Sequence, residues 1–319
     1  MNRLAVASGM LPVRFAASLW LVAALAGCGG SGVSPSDKLA DANRPIRVVC
    51  TTGMVADLVR HVGGEQVEVD QLMGPGVDPH VYKPSTGDIS RLERADCVIY
   101  SGLHLEGKLA DIFAQMARHK PTLAVAEQIE KSRLLETAPG QYDPHVWFDV
   151  SLWRQALPAV RDALTARAPQ HAAKFAERCT AYELELEQLH DECLVKLASI
   201  PASLRVLVTA HDAFHYFGRA YSVEVRAVQG VSTESEAGVR DINQLVEFLV
   251  ERKIKALFVE SSVSARNIQA LVEGCQSRGH SIVIVGELFS DAMGAANSSE
   301  GTYPGMVRHN LYTIVAALR

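Results

Sequence analysis

The 319-residue sequence has no surplus of positive charge, and a net −5 gives no reason to expect nucleic acid as a partner. It has no glycine-rich loop ending in Gly-Lys-Ser/Thr, so nucleotide hydrolysis has no seat. A His-Glu-x-x-His pair is missing too, which removes a common zinc-protease signature. The apolar run from Phe15 to Ala26 is too short to span a bilayer comfortably. Cysteine is scarce, with six residues, and their placement argues against a disulfide framework.

Arg3 and Arg14 precede that apolar run, which is right for a signal-peptide core. It ends in Leu25-Ala26-Gly27-Cys28, a sequence that resembles the bacterial lipobox, whose cysteine is diacylated and becomes the first residue of the mature chain. We therefore expect residues 1–27 to be a lipoprotein signal peptide, Cys28 the lipidation site and residues 28–44 a flexible tether rich in Gly, Ser and Pro. The expected location is the periplasm or the outer face of the cytoplasmic membrane, with a lipid anchor. The plainer alternative is an ordinary cleavage site with an incidental cysteine. Of the other five cysteines, Cys179 and Cys193 fall on one expected helix, about 21 Å apart at 1.5 Å per residue, too far to pair. Cys50 ends one strand and Cys97 begins another, at opposite edges of a parallel sheet, so buried free thiols are expected.

What is present is a soluble composition, 48% hydrophobic and 21% charged, in a chain long enough for two compact units. Strand-like runs at Ile46–Thr51, Val67–Met73, Cys97–Tyr100 and Leu123–Ala126 alternate with helical segments at 54–62, after Ser85-Thr86 and at 109–119. Helical composition then holds over 150–166 and 170–199, the second stretch free of glycine and proline and without a clean heptad. After Pro201 the alternation restarts, with strands at 205–209, 223–228, 256–259 and 282–285, and a terminal helix over 304–318. The expected fold is α/β: two Rossmann-like parallel-sheet lobes, residues 45–168 and 200–319, joined by a long backbone helix over 169–199.

One motif organises the chain. Asp78-Pro79-His80-Val81-Tyr82 returns as Asp143-Pro144-His145-Val146-Trp147. A proline before each histidine stiffens the loop and keeps the preceding Asp extended, a way of presenting an imidazole from pre-organised backbone. Each loop follows a strand, where ligands of open α/β sheets bind. In the second lobe His211 and Asp291 fall at equivalent strand ends, so two candidates from each lobe converge on one cleft. Three imidazoles and a carboxylate suit Zn²⁺ or another divalent first-row ion, and the lack of Met and Cys speaks against copper(I). His104 and His215 are possible ligands, more simply read as lining or capping the cleft. His61, His119, His171, His190, His280 and His309 are expected in solvent.

At this point the sequence resembles a family. Asp-Pro-His-Val-Tyr-Lys-Pro, Asp-Pro-His-Val-Trp-Phe-Asp, Val-Thr-Ala-His-Asp-Ala-Phe, Val-Gln-Gly-Val-Ser-Thr-Glu-Ser-Glu, Phe-Val-Glu-Ser-Ser and Glu-Leu-Phe-Ser-Asp-Ala-Met-Gly are similar to motifs of the cluster A-I, TroA-like lipoproteins of bacterial zinc/manganese ABC importers. The likeness covers residues 45 to 319. It implies one divalent ion held between two lobes by His80, His145, His211 and Asp291, and delivery to an ABC metal permease by a monomer. Two departures stand out. Glu127 to Gln141 contains no histidine, unlike the acid- and histidine-rich loop of strict zinc importers, and His211 stands where manganese-dedicated members usually have Glu. The pattern is nearest the subgroup associated with both ions.

Asp78, Asp143 and Asp212 adjoin candidate ligands and would either fix imidazole tautomers or cap local turns. Glu260 ends a strand facing the cleft and would hold a loop or hydrogen-bond near the metal without ligating it. The competing readings are a secreted zinc hydrolase and an adhesin-type surface lipoprotein. A hydrolase keeps an open position for water, which four protein ligands do not leave, and nothing in the sequence marks an adhesive surface.

Overall fold

Strands rich in Val and Ile on both faces need cover on both sides. The computed structural model, which describes residues 44–319, supplies that cover with helices. The signal segment, Cys28 and the tether up to residue 43 lie outside the described residues. β1 (Ile46–Cys50) leads to α1 (Gly53–Gly63), which begins where the Thr52 hydroxyl accepts from Val55 N–H. β2 (Val67–Gln71) is followed by α2 (Thr86–Arg94), closed by a capping box between Ser85 and Asp88. β3 (Cys97–Tyr100), α3 (Ala110–Met116) and β4 (Thr122–Ala124) complete a parallel sheet of order β2-β1-β3-β4. Pairing runs on past β2, with Leu72 and Met73 N–H bonded to Cys50 and Thr51 carbonyls, so the chain leaves the sheet at its carboxyl edge.

A hairpin, β5 (Glu136–Ala138) and β6 (Gln141–Tyr142), intervenes before the second Asp-Pro-His loop. Strands this short hold too few residues to show a period, so the hairpin has no signature in the sequence. The helix expected over 150–166 is divided. α4 (Val150–Trp153), capped by Asp149, passes through a 3-10 turn into α5 (Leu157–Arg167), with Pro158 in the first turn, where its missing N–H costs nothing. α6 (Ala172–Ala198) is the long connector, about 40 Å at 1.5 Å per residue. Its buried residues, Phe175, Cys179, Tyr182, Leu186, Leu189, Cys193 and Leu197, recur every three or four positions. That spacing is closer to heptads than the apolar pattern suggested. The stripe faces the protein's own α1, α4, α5 and α10 instead of a coiled-coil partner.

The second half runs β7 (Val206–His211), α7 (His215–Tyr221), β8 (Glu224–Gln229), α8 (Val239–Glu251), β9 (Ala256–Glu260), α9 (Arg266–Ser277), β10 (Val283–Leu288) and α10 (Tyr303–Leu318). β7 pairs in parallel with β8 and β9 with β10, while β7 lies beside β9. The expected α/β class is the observed one: parallel sheets in both halves and one long helix between them. One hydrophobic core extends from β1 and α1 through Trp147, Trp153 and α6 to Tyr216, Tyr303 and α10. Residues 44–319 accordingly form a single compact unit.

Cys50 and Cys97 sit on neighbouring strands, two register positions apart, and the five cysteines among the described residues are free and buried. No helix among these residues is long and apolar enough to cross a membrane. Four histidines expected in solvent bond internally instead. His61 stacks on Tyr182 at 3.8 Å, His190 meets the Tyr221 hydroxyl, and His280 and His309 donate to the Ile254 and Glu287 carbonyls. Each is half-buried, which a helical or polar neighbourhood in sequence does not reveal.

Candidate metal centre

Each candidate side chain arrives from a chain segment leaving a sheet or hairpin. Gly76, at a left-handed φ of 71°, turns the chain after β2 toward His80. There the Asp78 carboxylate accepts from the His80 backbone N–H at 2.9 Å and closes the turn. In the second copy Asp143 Oδ1 accepts both from His145 N–H at 2.9 Å and from the ring Nδ1 at 2.7 Å. His211 ends β7, and Asp291 follows β10 in a loop that Asn310 of α10 holds through both bonds to the Phe289 backbone.

These four side chains meet. Their donor atoms all lie within 4.8 Å of one another, and all four residues are buried. Nε2 of His145 is 3.3 Å from Nε2 of His80 and 3.4 Å from Nε2 of His211. Asp291 turns both oxygens inward, Oδ1 at 3.3 Å from His145 Nε2 and Oδ2 at 3.1 Å from His211 Nε2. Neither oxygen is hydrogen-bonded among the described residues. A tetrahedral zinc site with bonds of 2.0–2.1 Å has ligand–ligand edges of about 3.3–3.4 Å, the spacing of three of these pairs, with the Asp291–His211 pair shorter at 3.1 Å.

The electrostatics draw positive charge toward His145, His211 and Asp291. Burial pushes His80 down to about 4, and the neighbouring imidazoles push the same way against the Asp291 charge. Burial also works against a charged His145, yet the Asp143 and Asp291 carboxylates overcome it and hold the ring up to about 9. His211 is likewise raised well above the ordinary range, against burial, by Glu260 and Asp291. Asp291 is held well below the carboxylate range despite its burial, chiefly by His211 and His145. The pocket is charged and buried.

The surrounding carboxylates divide their work unevenly. Asp143 fixes the His145 tautomer so that Nε2 faces the pocket. For His211 that task falls to Glu260, whose Oε2 lies 2.5 Å from the ring Nδ1 and whose Oε1 accepts from Ala210 and His211 N–H. Asp212, adjacent in sequence, turns away and meets His215 Nε2 at 3.0 Å. Asp78 reaches the His80 backbone, and its second oxygen accepts from the Thr233 hydroxyl at 2.6 Å. His104 and His215 stand outside the cluster, lining neighbouring cavities.

Two supporting residues escaped the sequence reading. The Trp147 indole N–H donates to the Ser290 carbonyl at 3.0 Å, joining the His145 segment to the residue before Asp291. Tyr303 donates to the Trp147 carbonyl at 2.6 Å, and its own N–H meets the buried Asp57. Trp147 lies in the repeated motif where Tyr82 stands in the first copy, the one signal available for it. Tyr303 gave none.

Two α/β halves around one helix, with a buried cluster of three imidazoles and a carboxylate where they meet, define a metal-binding, solute-capture class of protein. The chain belongs to the zinc-uptake complex component A family, described as periplasmic, whose sequence model matches residues 48–317. It is 46% identical to the manganese-binding lipoprotein MntA of Bacillus subtilis over 305 residues, covering 95% of this chain and 98% of that one. It is 48% identical to the zinc-binding protein TroA of Treponema pallidum over 271 residues, 85% of this chain and 88% of that one. The solved structure of that periplasmic zinc-binding protein superposes with a TM-score of 0.84, covering 86% of this chain and 99% of the other. Members of this family serve transport as substrate-binding components, and the relatives lend no support to a hydrolase or an adhesin.

Proposed function

We propose that this chain captures one divalent ion, Zn²⁺ or Mn²⁺, through His80, His145, His211 and Asp291 and delivers it to an ABC-type permease in the cytoplasmic membrane. The observation that carries this reading is Asp291, 1% exposed, with both oxygens turned to imidazole nitrogens and neither hydrogen-bonded. A carboxylate so placed is costly unless positive charge faces it, whether protons on the rings or an ion that displaces them. Its two oxygens offer four or five donor atoms in all, which accommodates tetrahedral Zn²⁺ and also an ion that prefers more oxygen. The zinc- and manganese-binding names of the two relatives favour the same pair of metals. Full ligation by protein leaves no open position for water, so the chain is a carrier without turnover. We assign residues 45–168 and 200–319 as its two lobes, 169–199 as the connecting helix, and Cys28 as the lipid anchor that keeps a monomer at the periplasmic face.

Elemental analysis of protein purified from its native envelope tests this directly and identifies the physiological metal. The expected result is one Zn²⁺ or Mn²⁺ per chain, and metal-stripped protein should take up one Zn²⁺ without hydrolysing esters or peptides. Two tight sites of equal affinity, or metal-dependent hydrolysis, would remove the reading.

A further inference from the structure

On the reading of this chain as a metal-capture protein, we propose that the ion enters and leaves beside His80, and that residues 231–236 are the gate across that route. A cavity of about 400 Å³ opens there, bounded by His80, His104 and Tyr142 on one side and by Val231, Ser232 and Glu234 on the other. His80 keeps 4% of its surface exposed, against 0% for His145 and His211 and 1% for Asp291, so solvent reaches the cluster most readily at this ligand. The other three are tied more deeply, through Asp143, Glu260 and the Trp147–Ser290 bond.

The gate segment lies between Gly230, after β8, and Gly238, before α8. From the end of β8, just before it, Gln229 Nε2 donates to the carbonyls of Thr233 and Ser235 at 3.0 and 2.7 Å, so the segment is a preformed turn hinged on the last residue of that strand. Two clasps fasten it to the first half. The Thr233 hydroxyl donates to Asp78 Oδ2 at 2.6 Å, and Glu234 pairs with Lys108 at 2.6 Å. Asp78 spends its other oxygen on the His80 backbone, so undoing the Thr233 clasp also loosens the anchor of the most accessible ligand. Thr233 is thus a positioning residue that acts on His80 through Asp78. The Lys108–Glu234 pair, with both side chains nearly half exposed, is a weak and salt-sensitive fastening.

The test follows release of Zn²⁺ from the loaded full chain into excess chelator by stopped flow, in a Cys28→Ser background. Thr233→Val should speed release by about 10-fold, as expected for losing a hydrogen bond to a charged group. Lys108→Ala should speed it about 2- to 5-fold at low ionic strength, with the difference from the parent vanishing in high salt. In Lys108→Cys/Glu234→Cys, bridging the thiols with a short bis-methanethiosulfonate should slow release at least 10-fold, and dithiothreitol should restore it. The remaining cysteines of the described chain are buried and compete poorly for the reagent. A bridged protein that releases Zn²⁺ at the parental rate overturns the gate, as do Thr233→Val and Lys108→Ala both at the parental rate. Zinc content measured on the same samples separates the two ideas. One ion per chain with unaltered rates condemns the gate alone, whereas a parent that binds none condemns the capture reading.

Discussion

A buried carboxylate that faces imidazoles without bonding to them sets two expectations at the scale of single residues. Asp291→Ala removes the anionic donor of the proposed set, so titrations should show both Zn²⁺ and Mn²⁺ weakened. His211→Glu exchanges a nitrogen for an anionic oxygen, which suits Mn²⁺ and leaves Zn²⁺ one imidazole fewer; competition titrations should show a narrower zinc-over-manganese ratio with one site retained. An unchanged ratio, or parental binding by Asp291→Ala, would mean that the ligand set is wrong. Glu260→Gln keeps an oxygen for the Ala210 and His211 N–H groups but takes the charge from His211 Nδ1, and should cost about 10- to 100-fold in metal affinity.

The sign of the pH dependence follows from His145. Its value of about 9 in the folded chain lies above the ordinary 6.5, so the protonated ring adds stability to the metal-free protein below about 6.5, lost as pH rises through about 9. A metal ion must displace that proton. Affinity should therefore keep rising from pH 7 toward 9 and fall steadily on acidification, where a site of ordinary imidazoles would level off above about 6.5. Calorimetry in two buffers of different ionisation enthalpy at pH 7 should register proton release on Zn²⁺ binding; none would contradict the assignment.

Among the elements, α6 bears most directly on how the halves are held. Leu186 is fully buried on its inward stripe, and Leu186→Ala should cost about 2–5 kcal/mol in denaturant unfolding, since cavity and transfer terms add. The elements differ in how plainly they were written. β3 is a continuous apolar run, β1 is one broken only by the exposed Arg47, and Ser85 three residues before Asp88 announces α2; all three were legible. The β5–β6 hairpin and the break between α4 and α5 were not, because each involves only a few residues and no period can form. His80, His145, His211 and Asp291 could be read from a repeated motif and from their places at strand ends. Asp143 and Glu260 could be named beside them, but the long-range supports could not: Trp147 and Ser290 lie 143 positions apart, Thr233 and Asp78 155 apart, and only tertiary folding pairs them.

For the whole molecule, a core shared by both halves predicts one cooperative calorimetric transition, not one per lobe. Two resolved transitions in the metal-free chain would show that the halves unfold separately. Zn²⁺ bound to the native state alone should stabilise it by roughly 2.7 kcal/mol at a free concentration 100 times Kd, raising Tm by roughly 5 °C. Stripping the metal should reverse that shift.

Trp147 also has an optical side. Trp147 and Trp153 are the only tryptophans among the described residues; both are wholly buried, with rings 6.3 Å apart, and the Trp147 ring sits edge-to-face against His145 at 5.2 Å. A divalent charge on the far nitrogen of that imidazole would act on the indole's excited-state dipole, so ultraviolet emission should change in intensity or wavelength as the ion binds. The protein carries its own dye, and exchange of the ion can be followed in real time without a label, provided that Trp147→Phe abolishes the signal and Trp153→Phe keeps it.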